Sequence, residues 1–448
     1  MIKLSDLAKI SKKSIEGSEE FKLEVDNRQL NADSIFIAIV GDRFDPLMYL
    51  DKVVDSGCRY VIFEENIENN KKIKLYEDKL DFISVTDIFL AIQNLGEIVA
   101  DNFKKKFGKI IAISGSNGKT TTKEMLNFLL KECVGTESVI CTQKNNNNHL
   151  GVPFTLFQIT KKTKYAIVEL GSNHPGEIEH LAKMIKPQIG YTTNIGDTHL
   201  EFFETRENVF LEESILYKYC SESFLVNSDD YFLKNLDSSV TRTIGEEGRD
   251  FKFEFKDQSV IINEHKIKND FITGRHNLFN LAAAFVIANY CIEDIEKIIT
   301  VAKNFKPTHN RSQWITKGKQ KIFLDAYNAN PSSMRLALLG YYEKLSLDGI
   351  DLNRVLCIFG DMNELGSNSK IYHEEIGLYV NQLGFKNVAF VGRFSESYAK
   401  GFGASCLQFE STKNLVDSFS HEFVSYENVF IKGSRSLQLE LITDITSG

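Results

Sequence analysis

Proline is scarce in this chain, with six in 448 residues. No proline cluster therefore announces a linker, and domain boundaries must be read from alternating strand and helix patterns. Cysteine is equally unorganised. The seven cysteines are scattered, odd in number and include no Cys-x-x-Cys pair. That excludes a disulfide scaffold and points to free thiols in a reducing cytoplasm. Long apolar runs are missing too. The nearest to the roughly 18 residues of a membrane span is "LAAAFVIANYCI" at 281–292, which reads as a buried helix. The opening "MIKLSDLAKISKKS" lacks the apolar stretch and small-residue cleavage site of a secretory leader. Nor is there an excess of positive charge. The net charge is −8, with both signs interspersed, which argues against nucleic acid as a partner. The basic stretch "FKKKFGK" at 103–109 reads as solvated surface.

What is present is ordinary globular material, 42% apolar, in a chain long enough for roughly two to four domains. Residues 1–84 hold short strand patterns, "DSIFIAIV" (33–40), "RYVIFEE" (59–65) and "DFISV" (81–85), with a helical pattern between the first two. A longer unit, 85–308, alternates strands with helices: "KIIAISG", "YAIVELG" and "GYTTNIG" are the strands, and "KTTTKEMLNFLLKE" is the first helix. This alternation predicts a parallel sheet with crossover helices. From 309 to 448 the strands "KIFLDAYN", "RVLCIFGD", "NVAFVG" and "NVFIKGS" recur with helices between them. The expected fold is α/β in three domains: a small N-terminal unit, a central parallel-sheet unit of phosphate-loop type and a Rossmann-like C-terminal unit.

The segment "ISGSNGKTTTKEM" (113–125) carries the clearest chemistry. A strand, a glycine turn, Lys-Thr and a helix together cradle phosphates: backbone N–H groups and the helix N-terminus face the anion, lysine spreads charge over its oxygens and a hydroxyl reaches Mg²⁺. Gly115 and Gly118 permit the turn, with Ser116 and Asn117 between them. Lys119 is the cation, Thr120 the metal-side hydroxyl, and Thr121 follows. Two residues separate the glycines where the commoner loop has four. ATP with Mg²⁺ also needs a carboxylate, and Glu169 stands at the end of the apolar strand "YAIVELG". An acid there is costly unless a metal or cation uses it. His199, in "NIGDTHLEFF", follows another strand end of the same sheet, where ligands collect.

These residues, taken with "NNNNHLGVPFTL" (145–156), "GRHNLFNLAAA" (274–284), "DAYNANPSSM" (325–334), "FGDMNELGSNSKIYHEEIG" (359–377) and "IKGSRSLQLE" (431–440), resemble the Mur ligase family over nearly the whole chain. Tyr-Asn-Ala-Asn-Pro is the most specific segment. It resembles the branch that joins a D-alanyl dipeptide to a UDP-linked muramoyl tripeptide. The resemblance implies a cytoplasmic, monomeric, ATP- and Mg²⁺-dependent amide ligase of peptidoglycan synthesis. Its substrates would be a UDP-sugar peptide held by the N-terminal domain and an amine brought by the C-terminal one, joined through an acyl phosphate. Carried over motif by motif, Glu169 and His199 would hold magnesium and Thr120 the nucleotide-bound ion. Asn280 would contact adenine, Arg311 would reach the nucleotide and Asp325 the ribose. Tyr327 and Asn328 would shape the closed site, and Asn148, His276 and Asn277 would line it. Read from the residues alone, Asn277 could equally cap its helix, Asp325 end a strand, and Arg311 form a surface ion pair.

The chain departs from the family in three places. The family's carbamylated lysine aligns with Glu213, or with Glu212 after a slip of one; a glutamate there would either supply the carboxylate without CO₂ or be a solvated helix residue with the second metal lost. The UDP-sugar stretch reads Asp26-Asn27-Arg28 and Asp45-Pro46-Leu47, so Asn27, Arg28 and Asp45 are its candidates without the usual Gly-His pair. His149 stands where an acid is common. Two other readings remain: a ligase on the same frame joining an amine to another carboxylate, such as a different sugar nucleotide, and a non-catalytic nucleotide-binding protein.

Overall fold

The computed structural model describes residues 1–11, 16–308 and 310–445. The tail of the opening segment and the expected boundary residue 309 lie outside them. Three sheets follow one another along the chain. The first has five strands in chain order. Ile2–Lys3 pairs antiparallel with Glu20–Glu24, and the parallel strands Ser34–Ala38, Tyr60–Glu64 and Asp81–Val85 follow.

The helix Ile88–Lys105 then carries the chain to the central sheet. Asp87 starts it by accepting from the N–H groups of Phe89 and Leu90, as an N-cap should. One face, including Ile92, Leu95 and Val99, is buried in a core that runs without a break from Ile35 and Ile37 of the first sheet to Val152, Leu156 and Ile178 of the central unit. Gly96 allows this close approach. A Cβ there would come within 3.2 Å of Pro153 and 3.1 Å of Met184.

In the central sheet, Lys109–Ser114 is flanked by Ile189–Thr192 and Tyr165–Glu169, both parallel to it. Their burial on both faces explains why they read as continuous apolar runs. Val139–Cys141 closes one edge. On the other side lie Ser223–Asn227 and Thr241–Gly245, and then an antiparallel extension, Phe251–Lys256, Ser259–Ile262 and His265–Lys268. The extension was not anticipated from the sequence. The helix Lys119–Val134 packs beside Arg275–Asn289. The latter is buried nearly all round, as its apolar composition predicts. Among the described residues no helix is long and apolar enough to cross a membrane.

The third sheet begins with the antiparallel pair Gln313–Lys317 and Gln320–Asp325. Asn428–Lys432 inserts between Gln320–Asp325 and Val355–Gly360, and Asn387–Val391 and Leu407–Phe409 complete a parallel array. That insertion sets Asp325 opposite Lys432 in register.

Candidate functional site

The phosphate loop leaves its strand through two residues that need glycine. Gly115 (φ 116°) and Gly118 (φ 85°) lie where L side chains are strained. A Cβ at Gly115 would strike the Thr193 hydroxyl, and one at Gly118 would stand 2.7 Å from Asn280 Oδ1. The loop is braced from the neighbouring strand end. Ser116 N–H donates to the Asn194 carbonyl (2.9 Å), Asn117 N–H to Asn194 Oδ1 (3.1 Å), and Gly196 N–H to Ser116 Oγ (2.8 Å). Lys119 begins the helix and folds its ammonium back onto the Gly115 carbonyl.

Beneath the loop lies Glu213, 3% exposed. Its Oε2 accepts from Gly115 N–H at 2.7 Å, and its Oε1 is 3.9 Å from Lys119 Nζ. Glu212 points elsewhere. It accepts from Gly176 and Ile178 N–H and so caps the helix Glu177–Ile185. Of the two adjacent acids, only Glu213 reaches the loop.

Glu169 ends its strand beside the loop, also 3% exposed. Its Oε1 accepts from Thr120 Oγ1 (3.0 Å) and Asn147 Nδ2 (3.1 Å). Its Oε2 is buried without a hydrogen bond, 3.7 Å from Lys123 Nζ. Lys123, one turn into the helix, is wholly buried and donates to the Thr142 carbonyl at 2.7 Å. A buried acid with one oxygen unspent, next to a threonine hydroxyl at a phosphate loop, fits Mg²⁺, which takes one or two carboxylates and completes its shell with phosphates and water. No group of three or more His, Cys, Asp or Glu side chains poised for a metal occurs among the described residues, so a cage built wholly from such side chains is not what these residues offer.

The opposite wall comes from the third sheet and the helix Arg275–Asn289. Arg311 lies 3.8 Å above the Tyr327 ring. Asp325 accepts from Ser312 N–H (3.2 Å) and meets Lys432 Nζ at 2.5 Å; that ammonium, 2% exposed, also donates to the Asn328 carbonyl. Asn277 donates to the Thr273 carbonyl and to Ser312 Oγ, both at 3.0 Å. It thus ties its helix to the third domain. Burial drives the His276 imidazolium down to about 4, against the pull of Asp325, so this ring is neutral near pH 7. Loop and wall enclose a cavity of about 560 Å³, lined by Lys119, Thr120, Glu169, Asn280, Arg311 and Asp325 among others. Ser116, Thr121, His276, Asn277, Tyr327 and Asn328 also face it.

Other expected residues are placed differently. Asn148 does not line this cavity. Its Oδ1 caps the helix Gly151–Phe157 by accepting from Leu150 and Gly151 N–H, and Asn147 stands at Glu169 instead. In a run of four asparagines the sequence offers nothing to choose the register. His199 pairs with Glu364 of the third domain (Nδ1 to Oε2, 2.8 Å) and not with Glu169. His149 faces a separate opening of about 330 Å³ beside His180 and Gly171. In the first domain Arg28 is held in a fork by Asp26, whose carboxyl its guanidinium draws down to about 2, and Asn27 lies in the same short turn. Asp45 caps the turn Pro46–Tyr49 and pairs with Lys72 at 2.6 Å. Lys432 and Lys123 were missed. Each is a lysine buried among apolar neighbours, and in Lys432 the signal, a charge ending the run "NVFIK", is the one that revealed Glu169.

The third domain touches the loop itself. Asn117 Nδ2 donates to Ser332 Oγ (3.1 Å), and Asn330 Nδ2 donates to Asn117 Oδ1 (2.7 Å). Both partners belong to "DAYNANPSSM".

Comparison with known proteins agrees with this geometry. Residues 113–288 match the Mur ligase middle domain and 310–435 the Mur ligase glutamate ligase domain. The UDP-N-acetylmuramoyl-tripeptide–D-alanyl-D-alanine ligase of Rickettsia prowazekii is 30% identical, over 94% of each chain. The Bacillus subtilis enzyme of the same name is 28% identical, over 93% of this chain and 91% of its own. The crystal structure of MurF from Acinetobacter baumannii superposes with a TM-score of 0.80 at 27% identity, covering 98% of this chain and 97% of that one. The two family matches, together with a relative 30% identical over 94% of the chain, show that the chain belongs to the Mur ligase family.

Proposed function

We propose that this protein joins D-alanyl-D-alanine to UDP-N-acetylmuramoyl-tripeptide at the expense of ATP, in peptidoglycan synthesis. It would act as a cytoplasmic monomer in three domains, bounded near 84 and 308. The observation that carries the reading is the contact of Asn330 and Ser332 with Asn117. It sets the segment most specific to the dipeptide-adding branch directly on the loop that holds the transferable phosphate.

A carboxylate is a poor electrophile, and two anions must meet for it to be activated. The loop N–H groups, the helix N-terminus and Lys119 hold the γ-phosphoryl and offset its charge. An oxygen of the acceptor carboxylate attacks that phosphorus, the bond to ADP breaks, and an acyl phosphate results. The amine nitrogen then attacks the acyl carbon, sheds a proton, and phosphate leaves with its bridging oxygen. Asn280 and Arg311 would hold the nucleotide, and Asp325, oriented by Lys432, its ribose. Thr120, Glu169, His199 and Glu213 are the groups that would hold magnesium, which supplies charge neutralisation and orientation of the phosphates. His199 reaches this task only by parting from Glu364. Asn27, Arg28 and Asp45 remain the candidates for the nucleotide-sugar end.

Phosphate release with the purified protein tests the reading. UDP-N-acetylmuramoyl-tripeptide with D-alanyl-D-alanine should liberate ADP and phosphate together. Turnover only with another acid–amine pair would move the protein to a sister activity. ATP binding without turnover on any pair would remove it from the enzymes.

A further inference from the structure

The helix Ile88–Lys105 ends in a turn whose most conspicuous side chain does nothing for the fold. Phe107 N–H donates to the Lys104 carbonyl and Gly108 N–H to the Phe103 carbonyl, both at 3.0 Å, the paired closure of a Schellman motif. The left-handed position of that motif ordinarily belongs to glycine. Here Phe107 holds it, at φ 65°, with its ring 98% exposed. The backbone conformation costs stability in any residue with a Cβ, and the ring returns none by burial. We propose that Phe107 and the lysines around it dock the protein on an anionic lipid surface, with the ring entering the headgroup layer. The inference goes beyond the ligase reading and does not rest on it.

Lysines surround the ring. Lys105 and Lys106 precede it and Lys109 follows. The approach to the neighbouring strand Tyr165–Glu169 lies alongside, because Lys109 N–H donates to the Lys164 carbonyl at 2.9 Å. That approach also carries Lys161 and Lys162. Glu20 registers the convergence. Its carboxyl is held below the usual range first by the hydrogen bond from Lys106 and then by the charges of Lys106 and Lys161. Lys106, Lys109 and Lys162 are paired with Glu20, Glu222 and Glu137. Among the described residues Lys105 and Lys164 have no ion-pair partner. The face is therefore positive on a chain whose net charge is −8.

This face lies at the far end of the central sheet from the nucleotide. The strand Lys109–Ser114 runs six residues, roughly 20 Å, before it reaches the phosphate loop. Its chemistry suits lipid better than protein. A protein interface needs a packed apolar centre, and this ring stands among ammonium groups in no groove. An anionic bilayer meets both features. Its surface charge attracts each lysine, worth roughly fivefold in partitioning, and its interface takes up an aromatic ring.

Vesicle sedimentation with the full-length protein tests the assignment, comparing phosphatidylglycerol and phosphatidylcholine in equal parts with phosphatidylcholine alone. The parent should partition onto the anionic vesicles and not the neutral ones, and added salt should release it. Phe107→Gly should weaken partitioning about 10-fold while keeping or raising the melting temperature, since it relieves the left-handed strain. Lys105→Glu, Lys161→Glu and Lys164→Glu together should weaken it about 100-fold or more. Binding of an ATP analogue should be the same in parent and variants. A parent that binds both vesicles equally, or variants that partition like the parent, overturn the assignment. A parent that ignores both vesicles also overturns it and leaves the face to an acidic protein. If the lysine variant fails to fold, Phe107→Gly and the salt series still decide. No outcome depends on turnover, so the ligase reading is tested separately.

Discussion

Glu213 and Glu212 are neighbours in sequence and neighbours in burial, yet one faces the phosphate loop and the other a helix end. A side chain's direction, not its identity, separates a site residue from a capping one. Glu213→Gln keeps the shape and removes the charge. It should raise the Mg²⁺ concentration needed for tight binding of a non-hydrolysable ATP analogue by about 10-fold or more, read by calorimetry at a series of Mg²⁺ levels; an unchanged series would reduce Glu213 to a buttress. His276 makes a second residue-scale case. Burial pushes its folded imidazolium down to about 4, below the ordinary 6.5 of an exposed ring. The unfolded chain therefore binds the extra proton between those values, and stability from this ring is complete above 6.5 and lost as pH falls towards 4. The melting temperature should drop between pH 7 and pH 5, and His276→Gln should shrink that drop. At this scale the sequence was legible where a charge interrupts an apolar run, as at Glu169. It was illegible where identical residues adjoin, as in 145–148, and where the partner is distant, as for Lys123 and Lys432.

Elements were legible where local pattern and tertiary setting agree. The run "KIIAIS" leads to a glycine turn and a helix, and those appear as Lys109–Ser114 and Lys119–Val134. The antiparallel extension was overlooked although Phe251, Phe253 and Phe255 alternate with charged residues, a half-buried strand pattern. The helix Pro331–Leu347 joins sequence signal to function most directly. Asn330 caps it by accepting from Ser333 N–H, Pro331 follows in the first turn, and the same Asn330 side chain reaches Asn117. Asn330→Ala should cost about 1 kcal/mol as a lost cap, measured by denaturant unfolding. Beyond that cost it should raise KM for ATP, whereas Asn330→Asp, which can still cap, should keep the stability and show only the kinetic effect.

For the whole molecule, the buried clusters divide unequally. The first sheet and the central unit share one continuous core and each keeps a second of its own, whereas the two cores of the third domain are shared with neither. Length and alternation predicted three units but not which pair would fuse, because the fusion depends on Gly96 letting one helix lie close against Pro153 and Met184. The third domain instead meets the others near the site through polar links: Asn117 with Asn330 and Ser332, Asn277 with Ser312, and His199 with Glu364. Polar links exchange readily with water and make a poor permanent seam but a serviceable clasp.

That clasp grips the loop that must surrender spent nucleotide. If egress of ADP parts this clasp, the outer lobe must swing through solvent, a motion opposed by friction. Turnover at saturating substrate should slow as glycerol or sucrose thickens the medium, while a pre-steady-state burst of acyl transfer stays constant.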